Sequence, residues 1–172
     1  MKKVLFLLSV SVMLAACTHS EQKLKKTEEI PTEFKFSDLN YYVNMQTVTK
    51  DEKISPKYIS KIDSINPYGF GFHCTANKLH GGKMSGVNVK TRYYFPVEGD
   101  VSIICTVSKK DSVLFWEAYR LNVKNGLKKW SDAENTFIFK KTYSGDEMLM
   151  VYLWAPKGNK AYMEELMVTP KE

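Results

Sequence analysis

Catalytic residue types are scarce in this chain. Three histidines and three cysteines occur in 172 residues. There is no Gly-x-Ser-x-Gly elbow, no His-Glu-x-x-His pair and no phosphate-cradling glycine loop. These absences remove the usual serine-hydrolase, zinc-protease and nucleotide-binding machinery. His19 lies in a charged N-terminal stretch, His73 alternates with apolar residues, and His80 precedes Gly81-Gly82 in a loop. Neither a Cys-x-x-Cys nor a His pair accompanies the cysteines, which disfavours zinc. No feature places two carboxylates across one glycosidic bond. A charge field of one sign is also missing. The net charge is +6, yet the basic pairs Lys109-Lys110 and Lys128-Lys129 fall in turn segments, and acids offset the remainder. A nucleic-acid surface gathers cations on one face with aromatics between them. Nucleic acid is therefore not an expected partner, and the chain does not read as an enzyme.

Long apolar runs are absent but for one, Val4 to Met13. A membrane-spanning helix needs roughly 20 apolar residues, whereas a signal h-region needs about 7 to 15. Lys2 and Lys3 precede the run, and Leu14-Ala15-Ala16-Cys17 follows it. This stretch resembles a bacterial lipoprotein signal with its lipobox. The resemblance implies cleavage before Cys17, lipid on Cys17 and membrane attachment through that lipid. Acyl chains contribute about 0.8 kcal/mol per buried methylene, so several of them anchor almost permanently. The implied address is the outer membrane, on its periplasmic face or at the cell surface. Surface export in Bacteroidetes resembles a rule of acidic residues after the lipidated Cys, and Thr18-His19-Ser20-Glu21 supplies only one, so the face stays open. Loss of Lys2 and Lys3 leaves a net charge of about +4.

Residues 1–16 are thus read as the signal and 17–31 as the lipidated Cys and flexible tether. The tether holds Glu21, Lys23, Lys25, Lys26, Glu28 and Glu29 and too little apolar surface to offset its ordering entropy. Residues 32–172 form one domain of ordinary size.

Within that domain, period-two alternation dominates. From Val87 to Val97 the odd positions are Val87, Val89, Thr91, Tyr93, Phe95 and Val97, against Asn88, Lys90, Arg92, Tyr94 and Pro96. Tyr68, Phe70 and Phe72 alternate with Gly69, Gly71 and His73. Further strands are expected at 101–108, 113–121, 136–143, 148–155 and 161–169. Turn residues separate them, as in Glu98-Gly99-Asp100, Asn125-Gly126 and Ser144-Gly145-Asp146. Strands at regular spacing without helical periodicity predict an all-β antiparallel sandwich or barrel. The one helix candidate lies near 55–63, where a loop fits equally well.

The C-terminal half carries a family resemblance. Trp130, Phe137-Ile138-Phe139, the run Met150 to Pro156, and Ala161 to Val168 resemble the end of galactose-binding-like jelly rolls. Such domains, including carbohydrate-binding modules, are common in lipoproteins of Bacteroidetes. Ala155 stands where that pattern has Asn, and Glu164-Glu165 where it has Asp-Asp. The resemblance implies a jelly-roll sandwich, a non-catalytic role, and glycan as the favoured ligand. A fold alone does not establish binding. The rival reading is a structural or protein-interaction lipoprotein, accessory to an outer-membrane complex.

Candidate site residues follow from exposed aromatics beside hydrogen-bonding groups. Met148 to Trp154 is apolar on both faces. Leu149, Val151 and Leu153 suit the core, leaving Tyr152 and Trp154, with Met148 and Met150, as either a contact surface or one covered by Phe34, Phe36, Tyr41 and Tyr42. Strand 113–121 mixes apolar and charged residues on both faces, so the sequence does not orient it. Trp116 with Arg120, Tyr119 with Glu117, and Tyr94 with Arg92 are the candidate ring-and-partner pairs. Trp130 is expected to be buried. The resemblance adds a structural calcium near the chain ends, with Glu164 or Glu165 as ligand. Adjacent strand residues point to opposite faces, so only one of the two could serve. Cys74 and Cys105 read either as a disulfide or as two separate core thiols.

Overall fold

A computed structural model of the protein describes residues 41–172. The signal, Cys17, the tether, Phe34 and Phe36 lie outside the described residues. Ten strands follow one another: β1 (Tyr42–Val43), β2 (Val48–Lys50), β3 (Tyr58–Ile62), β4 (Tyr68–Thr75), β5 (Met84–Tyr94), β6 (Val101–Lys109), β7 (Ser112–Leu121), β8 (Trp130–Tyr143), β9 (Met148–Trp154) and β10 (Ala161–Lys171). Among the described residues the only helical pieces are single 3-10 turns, and no helix is long and apolar enough to cross a membrane.

Two five-stranded antiparallel sheets pack face to face. The first has the order β1-β4-β9-β6-β7, the second β2-β3-β10-β5-β8. Counting from β3, the eight long strands fall into the sheets in the order of a jelly roll. The expected fold class holds. The alternation in β5 does what it predicts: Val87, Val89, Thr91, Tyr93 and Phe95 are buried between the sheets, although Val97 emerges beyond the strand and is exposed. Leu149, Val151 and Leu153 of β9 meet Val101, Ile103 and Val107 of β6 in the same core.

Several expectations change. Residues 55–63 are not helical: β3 pairs with both β2 and β10. Its Ile62 faces the core and its Ile59 is buried on the other side, so neither strand nor helix periodicity shows. Tyr42 does not lie over the outer surface of β9. It pairs across from Phe72 and stacks on Phe70 at 4.3 Å, inside the sandwich. Cys74 and Cys105 are free and buried. Both face the core, but β9 separates β4 from β6, which puts the two backbones about 10 Å apart. A disulfide needs α-carbons within about 7 Å. The correct reading is two separate core thiols.

Candidate functional site

Register across the first sheet defines a surface. On its outward side Tyr68, Trp154, Ser102 and Arg120 form one row over β4, β9, β6 and β7. The next row is Gly71, Tyr152, Ile104 and Ala118, and the one after is His73, Met150, Thr106 and Trp116. By side-chain size these rows outline a trough crossing the strands, with Tyr68 and Trp154 on one side, Trp116 and Met150 on the other, and Gly71, Tyr152, Ile104 and Ala118 between them. Trp116 is 56% exposed and Tyr68 51%. Tyr68 meets the Tyr152 ring edge-on at 5.9 Å. Burial, with Tyr68 adding to it, raises the Tyr152 phenol above its ordinary pKa, so that ring stays neutral in physiological buffers. Trp116 and Trp154 stand two strands and four residues apart, a diagonal of about 16 Å.

Gly71 lets β4 and β9 approach closely at one end of the middle row. A Cβ there would come within 2.7 Å of both the Tyr152 Cβ and the Val151 carbonyl oxygen. Glycine inside a strand marks a close approach of this kind. The alternation of Gly69 and Gly71 with Phe70 and Phe72 was the sequence signal for it. Tyr68, Gly71 and Ala118 were not among the sequence-derived candidates.

The register also orients β7. Phe115, Glu117, Tyr119 and Leu121 lie opposite Val107, Cys105, Ile103 and Val101, which face the core. Tyr119 packs half-buried against that core and is not on the candidate surface. Trp116 and Arg120 point outward with Tyr152 and Trp154. Arg120 is ion-paired with Asp100 at the lip of a second, polar cavity of about 530 Å³ among the loops, which Glu98, Asn122 and Asn159 also line.

Arg92 and Tyr94 belong to the other sheet. Tyr94 lies 5.5 Å from Trp130 and 5.9 Å from Tyr162 on the outer side of β5. Trp130 is half-buried rather than sealed in the core. Its Nε1 donates to the Ile54 carbonyl at 3.2 Å, and Arg92 lies over its ring at 5.9 Å. The β2–β3 loop is thereby tied to β8 on this face. Beside it an open groove of about 820 Å³ is lined by Lys90, Arg92, Lys124, Asp132, Glu134 and Glu165.

Glu164 and Glu165 are not arranged for calcium. A register shift between Met163 and Glu165 makes Glu164 an extra residue in β10. Both carboxylates then reach one face, contrary to simple alternation. Glu164, 7% exposed, accepts from Ser55 Oγ and pairs with Arg92 at 3.1 Å, with Lys57 at 3.9 Å. Lys57 also binds Glu165 at 2.9 Å, and these carboxylates raise the pKa of its ammonium. The acids are spent on cations of the protein itself. Among the described residues no group of three or more His, Cys, Asp or Glu side chains gathers as a metal site would require.

No family model and no curated protein matches the sequence. Solved structures do match in fold. The C-terminal CBM6 of LamC, a marine laminarinase from Zobellia galactanivorans, aligns at a TM-score of 0.43 and 11% identity over 80% of this chain and 98% of that one. A family 35 carbohydrate binding module from Clostridium thermocellum aligns at 0.43 and 9% identity over 81% and 92%. The CBM22-1 xylan-binding domain from Paenibacillus barcinonensis aligns at 0.44 and 14% over 72% and 78%. These structural neighbours are carbohydrate-binding modules. Likeness at this level concerns architecture and assigns no ligand to this chain.

Proposed function

We propose that the protein is a non-catalytic glycan-binding module, held to the outer membrane by lipid on Cys17. The outward trough of the first sheet is the binding surface in this reading. One observation carries it: Tyr68, Trp154, Tyr152 and Trp116 share one outward face across β4, β9 and β7. Exposed aromatic faces stack on the C–H surfaces of sugar rings, and the edge groups of a trough supply hydrogen bonds. Arg120, Ser102, Thr106 and His73 are placed for that second task on the same surface. The trough crosses several strands, which suits a chain of sugar units better than a single one.

A glycan array probed with residues 30–172 tests the reading, followed by affinity electrophoresis on each polysaccharide that binds. Binding that weakens in Trp154→Ala and in Trp116→Ala supports it. A folded domain that retains no glycan in either assay sinks it. The anchor is tested separately: Cys17→Ser releases the protein from membranes in this reading, and membrane retention of that variant refutes it.

A further inference from the structure

The strand β7 ends the first sheet, and among the described residues it pairs only with β6. Its other edge presents backbone N–H and C=O groups to any added strand. The other sheet edges are guarded. On the opposite side the sheets end in β1 and β2, strands of two and three residues. Long β8, the neighbouring edge, carries exposed Asp132, Glu134, Lys140 and Lys141. From Phe115 to Leu121, β7 has no Pro, no Lys and no bulge, and its two exposed charges, Glu117 and Arg120, are of opposite sign. Its one irregularity falls earlier, at Leu114.

These seven residues complement themselves. Turned antiparallel about Ala118, the segment sets Ala118 against Ala118 of a second copy. Trp116 then faces Arg120, Glu117 faces Tyr119, and Phe115 faces Leu121, each twice by symmetry. Outward residues meet outward residues, as a continuous sheet demands. The Trp–Arg pairs are cation–π contacts, and the tyrosine hydroxyl donates to the glutamate. Phe115 and Tyr119, half-buried in the single copy, gain cover from the second. Competing registers are worse. Centring on Glu117 opposes like charges, and centring on Trp116 runs into the bulge at Leu114. The exposed Arg120–Asp100 ion pair is of a kind too weak to hold Arg120 back.

We propose that the protein forms an isologous dimer by antiparallel pairing of β7 with β7 about Ala118, the two copies sharing one ten-stranded sheet. The proposal stands whether or not the trough binds sugar.

Sedimentation equilibrium over a concentration series tests it, using the purified protein in a Cys17→Ser background. The parent dimerises. Ala118→Lys and Ala118→Glu each remain monomeric at concentrations where the parent is dimeric, and an equimolar mixture of the two regains the dimer. Ala118 is exposed, so at concentrations low enough for the parent to be monomeric both variants share its unfolding midpoint. Ala118→Cys gives a second readout, since residues facing each other across such a pair lie within disulfide reach. Mild oxidation links it into a covalent dimer. A parent that stays monomeric, a Lys variant that dimerises as the parent does, a mixture that fails to recover, or an Ala118→Cys variant that never cross-links would overturn the proposal.

Discussion

Arg92 and Glu164 pair at 3.1 Å beside a bulge, where β10 carries one residue more than β5 between Met163 and Glu165. The bulge sets Glu164 and Glu165 on one face, where Arg92, Lys57 and Ser55 satisfy the Glu164 carboxylate. Removing it leaves the buried Ser55 hydroxyl without its acceptor and takes an anion from Arg92 and Lys57, both of which reach solvent. Glu164→Ala is expected to lower unfolding stability by about 2 kcal/mol, the range for hydrogen bonds to charged groups. Glu164→Gln, which still accepts from Ser55, costs less. Urea denaturation followed by tryptophan fluorescence measures both, and equal stability of Glu164→Ala and wild type would contradict the role given to this hub.

Gly71→Ala carries a different cost. Its methyl would collide with the backbone and Cβ of β9 at 2.7 Å. Backbone cannot rotate away as a side chain can, so β4 and β9 must separate. Overpacking of this kind costs about 1 to 3 kcal/mol. The same shift moves Tyr152, so sugar binding, where present, declines along with the midpoint. Thermal denaturation of the variant reads the first effect, and a wild-type melting temperature would show that the strands yield freely.

The two core thiols are expected to be inert. Burial raises the Cys74 pKa from 9.0 to about 11 and pushes Cys105 up further. Reactivity follows the thiolate. In native protein at pH 8 iodoacetamide leaves both unmodified, and in urea both react, as peptide mass spectrometry would register. Folding raises these pKa values, so the associated stability is present below pH 9.0. For Cys74 it is lost as pH rises through about 11. Alkylation of either thiol in the folded protein at pH 8 contradicts this account.

Glycan affinity separates the two aromatic clusters. Trp154→Ala removes one wall of the trough and is expected to weaken binding roughly tenfold or more, about 1.4 kcal/mol. Tyr94→Ala alters the other sheet, where the ring packs on Trp130 and Tyr162. It leaves affinity unchanged while lowering stability slightly. Isothermal titration of both variants against one polysaccharide decides the matter. A loss confined to Tyr94→Ala would move the site to the second sheet.

The regular, half-buried strands were legible because one face meets the core and the other meets water. Val87 to Phe95 is the clearest case. Legibility failed where that contrast disappears. In Tyr58–Ile62 the residues Ile59, Ser60 and Ile62 are all buried although they do not share one face, so no period shows. β7 is open on both sides of an edge, which is why Glu117 can point inward and remain exposed. The trough was half legible: Trp116, Arg120, Tyr152 and Trp154 could be picked out as types. Their sharing of one face, and the removal of Tyr119, Tyr94 and Arg92 from it, depends on pairing between distant strands. The bulge at Glu164 arises from such a pairing, and no local pattern announces it.

The place of β10 has a consequence for how the molecule comes into being. It lies between β3 and β5, bonded to both, and so it bridges early and middle parts of the chain. A polypeptide synthesised N-terminus first has no complete second sheet until residues 161–171 have been added. Until then Ile62 and Val89 lack the neighbour that joins their strands, and distant pairings of this sort form slowly. Closure of the second sheet therefore waits for the last strand of the chain.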